Sequence, residues 1–515
     1  MALVRSIATI GGWIMGSRIL GFVRDIMIAN VLGAGPVADA FFVAFKFPNF
    51  FRRLFAEGAF NAAFVPQFAR RLEGEGRQVA IAFAEDTLSV LMAVLLPLVL
   101  AAQAAMPLLM TVLAPGFVDD PPRFALAVEL TRITFPYLLF MALVALAGGV
   151  LNSLDRFAAA AAAPIVLNVI LIAMMAFLSE RFETPGHLLA WGIAAAGIAQ
   201  FVLLAIACRQ AGVVLHLPRP RLTPGVKRLL RLMIPGAIGA GVVQINLVID
   251  VILASLLPSG AISYFYYADR VNQLPLGVVG VAVGIALLPL LSRQLRAGDG
   301  AGAHDSQNRA IELALFLTVP AMAALIAIPQ PIVTVLFQRG AFGAEAATAT
   351  AGALAAFAAG LPAYVLIKAL SPGFFAREDT ATPVKIAAGA MVANVVLAVI
   401  LMQFLAHVGI ALATACSAWL NAGLLALMLA RRGGLVLDAR LRTRLPRIVV
   451  SAAAMGIALW GAARGLEAPL AGTQSVRILA LAVLVAGGLV VYAALAQATG
   501  AARLGELRAL LRARA

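Results

Sequence analysis

Charge is scarce in this chain, and cysteine and histidine are scarcer still. Only 12% of the 515 residues are charged, while 63% are hydrophobic, a balance that soluble globular domains do not carry. The two cysteines, Cys208 and Cys416, fall in separate apolar runs without partner spacing, which excludes a disulfide framework or a thiolate metal site. Four histidines (His187, His216, His304, His407) are dispersed over expected loops, where they read as solvated. No G-x-x-x-x-G-K-[ST] sequence occurs, so a phosphate-cradling loop for ATP hydrolysis is absent. The acids are interleaved with arginines rather than clustered, which argues against an intramembrane phosphatase or glycosyltransferase. The fold class that remains is an all-α polytopic membrane protein that is not an enzyme.

What is present is a net charge of +15, and its placement matters more than its size. The excess sits in every second loop: Arg70, Arg71 and Arg77; Arg209, Arg219, Arg221, Lys227, Arg228 and Arg231; Arg293, Arg296 and Arg309; and Arg431 to Arg447. Alternate loops are nearly bare, with Arg123, Arg181, Arg339 and Arg464 as isolated cases. This is the positive-inside pattern, so the basic charge sets topology, both termini are expected in the cytoplasm, and no nucleic-acid partner is implied. Basic loops such as Arg431–Arg447 also suit anionic membrane lipids. The first residues resemble a signal anchor without a cleavage site and are read as retained.

Apolar runs between these loops predict about fourteen spans. An internal repeat organises them. At an offset of about 225 residues, Asp25-Ile-Met-Ile-Ala-Asn-Val-Leu lies over Asp250-Val-Ile-Leu-Ala-Ser-Leu-Leu; Gly35 lies over Gly260, Pro136 over Pro362 and Asn168 over Asn394. Six spans separate the copies, which predicts two six-helix lobes in parallel orientation around a central cavity. The expected divisions are an N-terminal lobe at 1–217, a C-terminal lobe at 218–435, and two extra helices at 436–515 that fall outside the repeat.

The first two spans carry charges that lipid would reject. Residues 17–68 hold Arg18, Arg24, Asp25, Asp39, Lys46, Arg52, Arg53 and Glu57. A charge at the bilayer centre costs about 2.5–3.5 kcal/mol on insertion scales, so these groups must face water or one another. Helical spacing puts Asp39, Lys46, Arg53 and Glu57 in one narrow arc, and Arg18 with Asp25 on one face. Arg24 points to another. Pro48 inside the second span should kink it, which is tolerable where the freed carbonyl finds a partner. The second half adds Asp250, Asp269, Arg270 and Lys368. Taken together the interior is net cationic and rich in guanidinium, which suits a phosphate or carboxylate because its planar fork binds two oxygens and stays charged.

The stretch GSRILGFVRDIMIANVLGAGPVADAFFVAFKFPNFFRRLFAEGAFNAAFVP, with YYADRVNQLPLGVVGVAVGIALLPLLSR and SPGFFAREDTATPVK, resembles the MurJ/MviN family. These are lipid II flippases of the multidrug/oligosaccharidyl-lipid/polysaccharide exporter superfamily, and the resemblance covers essentially the whole chain. It implies translocation of the undecaprenyl-pyrophosphate-linked peptidoglycan precursor across the bacterial cytoplasmic (inner) membrane by alternating access, with cell-wall synthesis machinery as a further partner. A groove for the lipid tail is implied at the two extra helices. By the same resemblance the substrate-binding arginines are Arg18, Arg24, Arg52 and Arg270. Asp25, Asp39, Arg53 and Glu57 match gate and ion-pair positions, to which the spacing adds Lys46 and Asp269. No organic cofactor is implied. A candidate sodium site matches Asp250, Asn394 and Thr414, with Ala398 where the family places an acid, and the membrane potential is the expected driving force. Rival readings are a cation-coupled multidrug exporter or another lipid-linked oligosaccharide exporter of the same superfamily, and a scaffold for wall-synthesis partners. A drug exporter would favour carboxylates and aromatics around a cation. A scaffold leaves the buried charges without a purpose.

Overall fold

In the computed structural model, which describes residues 2–52 and 60–502, the chain runs as a series of helices, with no strand among the described residues. The first run comprises α1 (Ala2–Leu32), α2 (Pro36–Arg52), α3 (Phe60–Gly74), α4 (Arg77–Ala104), α5 (Met106–Leu113), α6 (Pro121–Thr134), α7 (Tyr137–Ser153), α8 (Phe157–Phe177) and α9 (Pro185–Gln210). The second comprises α10 (Pro224–Ser255), α11 (Ala261–Arg296), α12 (Gly300–Ala327), α13 (Pro329–Phe337), α14 (Ala344–Ala359), α15 (Leu361–Phe375) and α16 (Ala381–Arg431). Three more follow: α17 (Ala439–Gly465), α18 (Glu467–Ala471) and α19 (Gln474–Ala498). Nine stretches among the described residues are long and apolar enough to cross a bilayer.

The element order repeats as the sequence offset predicts. In each run a long helix is followed by a short one (α5, α13), and then by a span broken in two near a proline. The break falls at Phe135–Pro136 in the first run and at Gly360, two residues before Pro362, in the second. Proline lacks the amide that would continue the ladder, and it fits where a new helix begins. Each of these two spans is therefore a helix pair, α6 with α7 and α14 with α15. The last span of the second run differs: α16 continues through residue 406, where Ala406 takes φ 47° and ψ −129° and separates two helical limbs.

Two compact units result. One is Met1–Ser263 together with Arg339–Phe342; the other is Tyr264–Gln338 with Gly343–Ala515. Within the first unit α1 packs on α8, α2 on α6, and α10 on α3, α4 and α5. Pro48 leaves the Ala44 carbonyl without its helical donor, and the Thr134 hydroxyl of α6 fills the vacancy at 3.0 Å. The carbonyl that Pro48 frees thus serves as an α2–α6 tie. Beside it, Phe47 stacks on Phe135 with centroids 5.1 Å apart.

In the second unit the extra helix α17 packs on α12 and α19, and α19 also reaches α13. The α12–α17 contact is closed by charge. Glu312, 8% exposed, accepts from Arg444 at 2.6 Å, from Arg440 at 3.2 Å, and from Arg309, which also bonds Asp438. Three cations around one nearly buried carboxylate satisfy it fully.

The histidines depart from the solvated reading. Only His216 is exposed, paired with Glu85 at 2.9 Å. His187 is buried in the first turn of α9, because the Thr184 cap and Pro185 start the helix there and turn position 187 inward. His304 and His407 are half-buried, each with Nε2 at 2.9 Å from a backbone carbonyl, Gly433 and Ala349 respectively.

Candidate functional site

In the first unit the charged groups of α1 and α2 separate into two clusters. On α1, Arg24 and Asp25 are both buried. The Arg24 guanidinium donates to Asp25 Oδ1 through Nε at 3.1 Å and Nη2 at 2.7 Å, and to Asn168 Oδ1 of α8 through Nη1 at 2.9 Å. Neighbours on a helix lie 100° apart, yet the long arginine stem folds across that angle, so Arg24 does not point to a separate face. Asn168 is fixed in turn, donating from Nδ2 to the Ser17 carbonyl at 3.0 Å. Gly21 leaves it room: a Cβ there would stand 3.5 Å from Asn168 Nδ2. Arg18, on the same helix, is exposed.

The second cluster centres on Asp39, which has no solvent exposure. Its carboxylate takes four donors, two on each oxygen. Arg123 Nη2 (2.5 Å) and Gly260 N (2.7 Å) reach Oδ2; Ser263 N (2.9 Å) and Ser263 Oγ (2.6 Å) reach Oδ1. Burial of a carboxylate is expensive unless every lone pair is used and a cation is at hand, and here both conditions hold. Lys46, two turns further along α2, is half-buried, and Asn49 Nδ2 donates to the Phe45 carbonyl at 2.9 Å. Arg52 ends α2 with its side chain outside the described residues, as are Arg53 and Glu57. Asp250, on α10, is buried.

In the second unit Asp269 and Arg270 occupy successive positions of α11, both half-buried. Asp269 accepts from Gln273 on the next turn, and the Arg270 guanidinium sits 4.7 Å from the Tyr266 ring centre. Asn394 is buried on the first limb of α16. Thr414, on the second limb, donates its hydroxyl to the Ile410 carbonyl at 3.0 Å. Ala398, fully buried, puts hydrocarbon where an acidic cation ligand is expected, so these two residues offer neutral oxygens only. Among the described residues no group of three His, Cys, Asp or Glu side chains is placed to hold a metal ion. Lys368 is exposed on α15.

Two residues that matter here escape the sequence reading. Arg123 counts there as an isolated loop cation; in the structure it is the ion-pair partner of Asp39. Its signal lies in Asp120-Pro121-Pro122-Arg123, an acidic cap followed by prolines, which starts a helix and puts Arg123 in its first turn. Asn168 is noticed only as a repeat match to Asn394, and its role as the Arg24 acceptor needs the α1–α8 crossing.

Comparison with known proteins bears on these clusters. Residues 28–481 match the family described as lipid II flippase MurJ. A probable lipid II flippase MurJ of Rhizobium meliloti (strain 1021) is 48% identical over 514 residues, covering 99% of this chain and 96% of that protein. The lipid II flippase MurJ of Burkholderia cenocepacia is 37% identical over 437 residues, with 84% and 85% covered. A solved lipid II flippase MurJ in an inward closed conformation superposes with TM-score 0.79 at 24% identity, covering 95% of this chain and 98% of that one. An inward-facing multidrug resistance MATE transporter of the MOP superfamily shares the fold at TM-score 0.69 and 14% identity, with 81% and 94% covered. With the family matched over most of its length and these relatives well above 30% identical, the chain belongs to the lipid II flippase MurJ family, whose members are integral membrane transport proteins.

Proposed function

We propose that this chain carries lipid II, the undecaprenyl-pyrophosphate-linked peptidoglycan precursor, from the inner to the outer leaflet of the bacterial cytoplasmic membrane by alternating access. Arg18, Arg24, Arg52 and Arg270 hold the pyrophosphate. The family match over residues 28–481 is the observation that carries this reading. The geometry of Arg24 supports it: Asp25 and Asn168 hold the guanidinium in one orientation, which lowers the entropic cost of gripping an anion. A diphosphate offers several oxygens to a planar fork, the recognition at which arginine excels. The membrane potential supplies about 2.3 kcal/mol per charge per 100 mV, and an anion leaving a negative interior moves downhill.

Proteoliposome exchange of lipid II between leaflets tests this directly. Arg24→Ala and Arg270→Ala are each expected to slow exchange at least about tenfold, the scale of one lost charge-assisted hydrogen bond. Imposing an inside-negative potential should accelerate exchange, and sodium should be varied separately. Exchange at the parental rate in both variants sinks the anion clamp, and inhibition by a lipophilic cation but not by a pyrophosphate lipid favours a drug exporter.

A further inference from the structure

The turn joining α10 to α11, residues 256–260, is gripped on two flanks within the first unit. On one flank Gly116 packs so close that a Cβ there would fall 2.0 Å from the Ser255 carbonyl oxygen, and its amide donates to Ser255 Oγ at 3.3 Å. On the other, Asp39 takes the amides of Gly260 and Ser263 and the Ser263 hydroxyl. Those amides belong to the start of α11, so Asp39 caps a helix other than its own, where the helix dipole favours an anion.

We propose that Arg123 is the positioning residue of this latch, keeping Asp39 ionised and aimed so that the α10–α11 turn can dock on it and leave it reversibly. The proposal rests on the flippase reading only in assigning the docking and release to the transport cycle. Of the four donors on Asp39, three come from the turn and the start of α11. The fourth, Arg123, comes from α6, which is tied to α2 by the Thr134–Ala44 bond and the Phe47–Phe135 stack. Arg123 therefore stays with Asp39 when the other three depart. Without it, release of the turn would strand a bare carboxylate inside protein.

The surroundings of Arg123 fit that duty. It is 5% exposed, its guanidinium lies 3.8 Å from the Phe117 ring centre, and its amide donates to the Asp120 cap at 3.3 Å. The segment carrying Gly116 and Phe117 thus touches the end of α10 and also supports the arginine. One nitrogen is held in reserve: the buried Nε makes no hydrogen bond in this arrangement. Once Ser263 vacates Oδ1, Nε and Nη2 together can take both carboxylate oxygens in the two-pronged geometry arginine prefers. The loops on this side of the chain are those with few arginines, which the charge pattern assigns to the outer face.

The test reads docking of the turn directly, without substrate. Ala261, 3% exposed in the first turn of α11, is replaced by cysteine in a Cys208→Ser, Cys416→Ser background, and its reaction with a membrane-impermeant maleimide is timed in proteoliposomes. Arg123→Met should lower the labelling rate at least about tenfold and depress lipid II exchange. Arg123→Lys should bring the rate back to within about threefold of the parent, because an ammonium still neutralises Asp39. Adding Asp39→Asn to Arg123→Met should also restore labelling to near the parental rate, since a neutral amide leaves no bare charge on release. If Arg123→Met does not accumulate, that double variant decides alone: it should accumulate and label at close to the parental rate. Parental labelling in Arg123→Met, failure of lysine to rescue, or a double variant that labels as slowly as the single one overturns the proposal. Labelling as expected in a parent that exchanges no lipid II would leave the latch standing and remove the transport reading.

Discussion

Asp39 and Tyr264 hold the same place in the two halves of the repeat, each one turn into the helix that follows a glycine-bearing turn. Their chemistry differs. Asp39 is a buried carboxylate with an arginine and three further donors. Tyr264 packs its ring 5.2 Å from His407, whose Nε2 lies 2.9 Å from the Ala349 carbonyl. The neighbouring turns, by contrast, are handled alike. Gly116 closes on Ser255, and at the corresponding place Gly340 closes on Asn30, where a Cβ would meet the Asn30 oxygen at 2.4 Å. There the Ala341 amide donates to the Asn30 carbonyl at 2.9 Å. The halves thus share their backbone contacts and differ in side-chain electrostatics. A ring contact comes apart by exposing apolar area; a carboxylate can trade donors one at a time. On the latch proposed above, the half with the carboxylate is the one that opens repeatedly.

The largest effect expected from testing that contrast is on Asp39. Asp39→Ala leaves Arg123 buried without its counter-ion and should destabilise the protein by about 3–5 kcal/mol in a detergent unfolding titration. A loss below about 1 kcal/mol would mean that Arg123 finds water easily and that the contrast is overstated. Next come the glycines. Gly116→Ala and Gly340→Ala each force a methyl into backbone, and Gly340 also has φ +52°; each should cost about 1–3 kcal/mol in the same titration. A large loss in one and none in the other would show that the two turns are not equivalent. His407→Phe keeps a ring against Tyr264 but loses the bond to Ala349, so a cost of about 0.5–1.5 kcal/mol is expected, with lipid II exchange unchanged. Slowed exchange would place the second half in the gate as well.

The smallest effect concerns the opposite ends of the repeat, before α8 and α16. Asp155 and Glu378 take matching left-handed conformations there, with φ 57° and 61°. Only the second half adds an acid cap. Asp379 accepts from the Thr382 amide at 2.9 Å and pairs with Arg432. These bonds depress its pKa to about 2, the Thr382 contacts being the largest cause. Its contribution is therefore complete above the ordinary carboxylate value near ~3.9 and lost as pH falls through about 2. Asp379→Asn should lower the melting temperature slightly at neutral pH, by the same amount down to about pH 4. A difference that fades between neutral pH and about pH 5 would contradict the cap.

Much of this protein is legible from its residues. Hydropathy locates the spans, and the Asp25/Asp250, Pro136/Pro362 and Asn168/Asn394 matches disclose the repeat before any coordinates. Helical spacing also leads one to expect the charges of α1 and α2 on interior faces, and Arg24, Asp25 and Asp39 are buried while Arg18 is exposed. The spacing does not say which charge meets which. Asp39 reads as an ion-pair position with no partner named, and its partner comes from α6, 84 residues away. Arg24 reads as facing elsewhere, and it folds back onto Asp25 because four torsions lie between its backbone and its charge. His187 reads as solvated because a helix start three residues earlier is a local detail that hydropathy does not register.

Sequence alone determined that this chain is built to span a bilayer and that it repeats its architecture. These follow from transfer free energies and periodicity, which are properties of residues taken along the chain. Only the tertiary structure decided that Arg123 neutralises Asp39, that Asn168 orients Arg24, and that Gly116 and Gly340 admit the ends of α10 and α1. Those pairings depend on helix crossings and side-chain rotamers, and a buried charge is settled by whichever donors packing brings within hydrogen-bond reach.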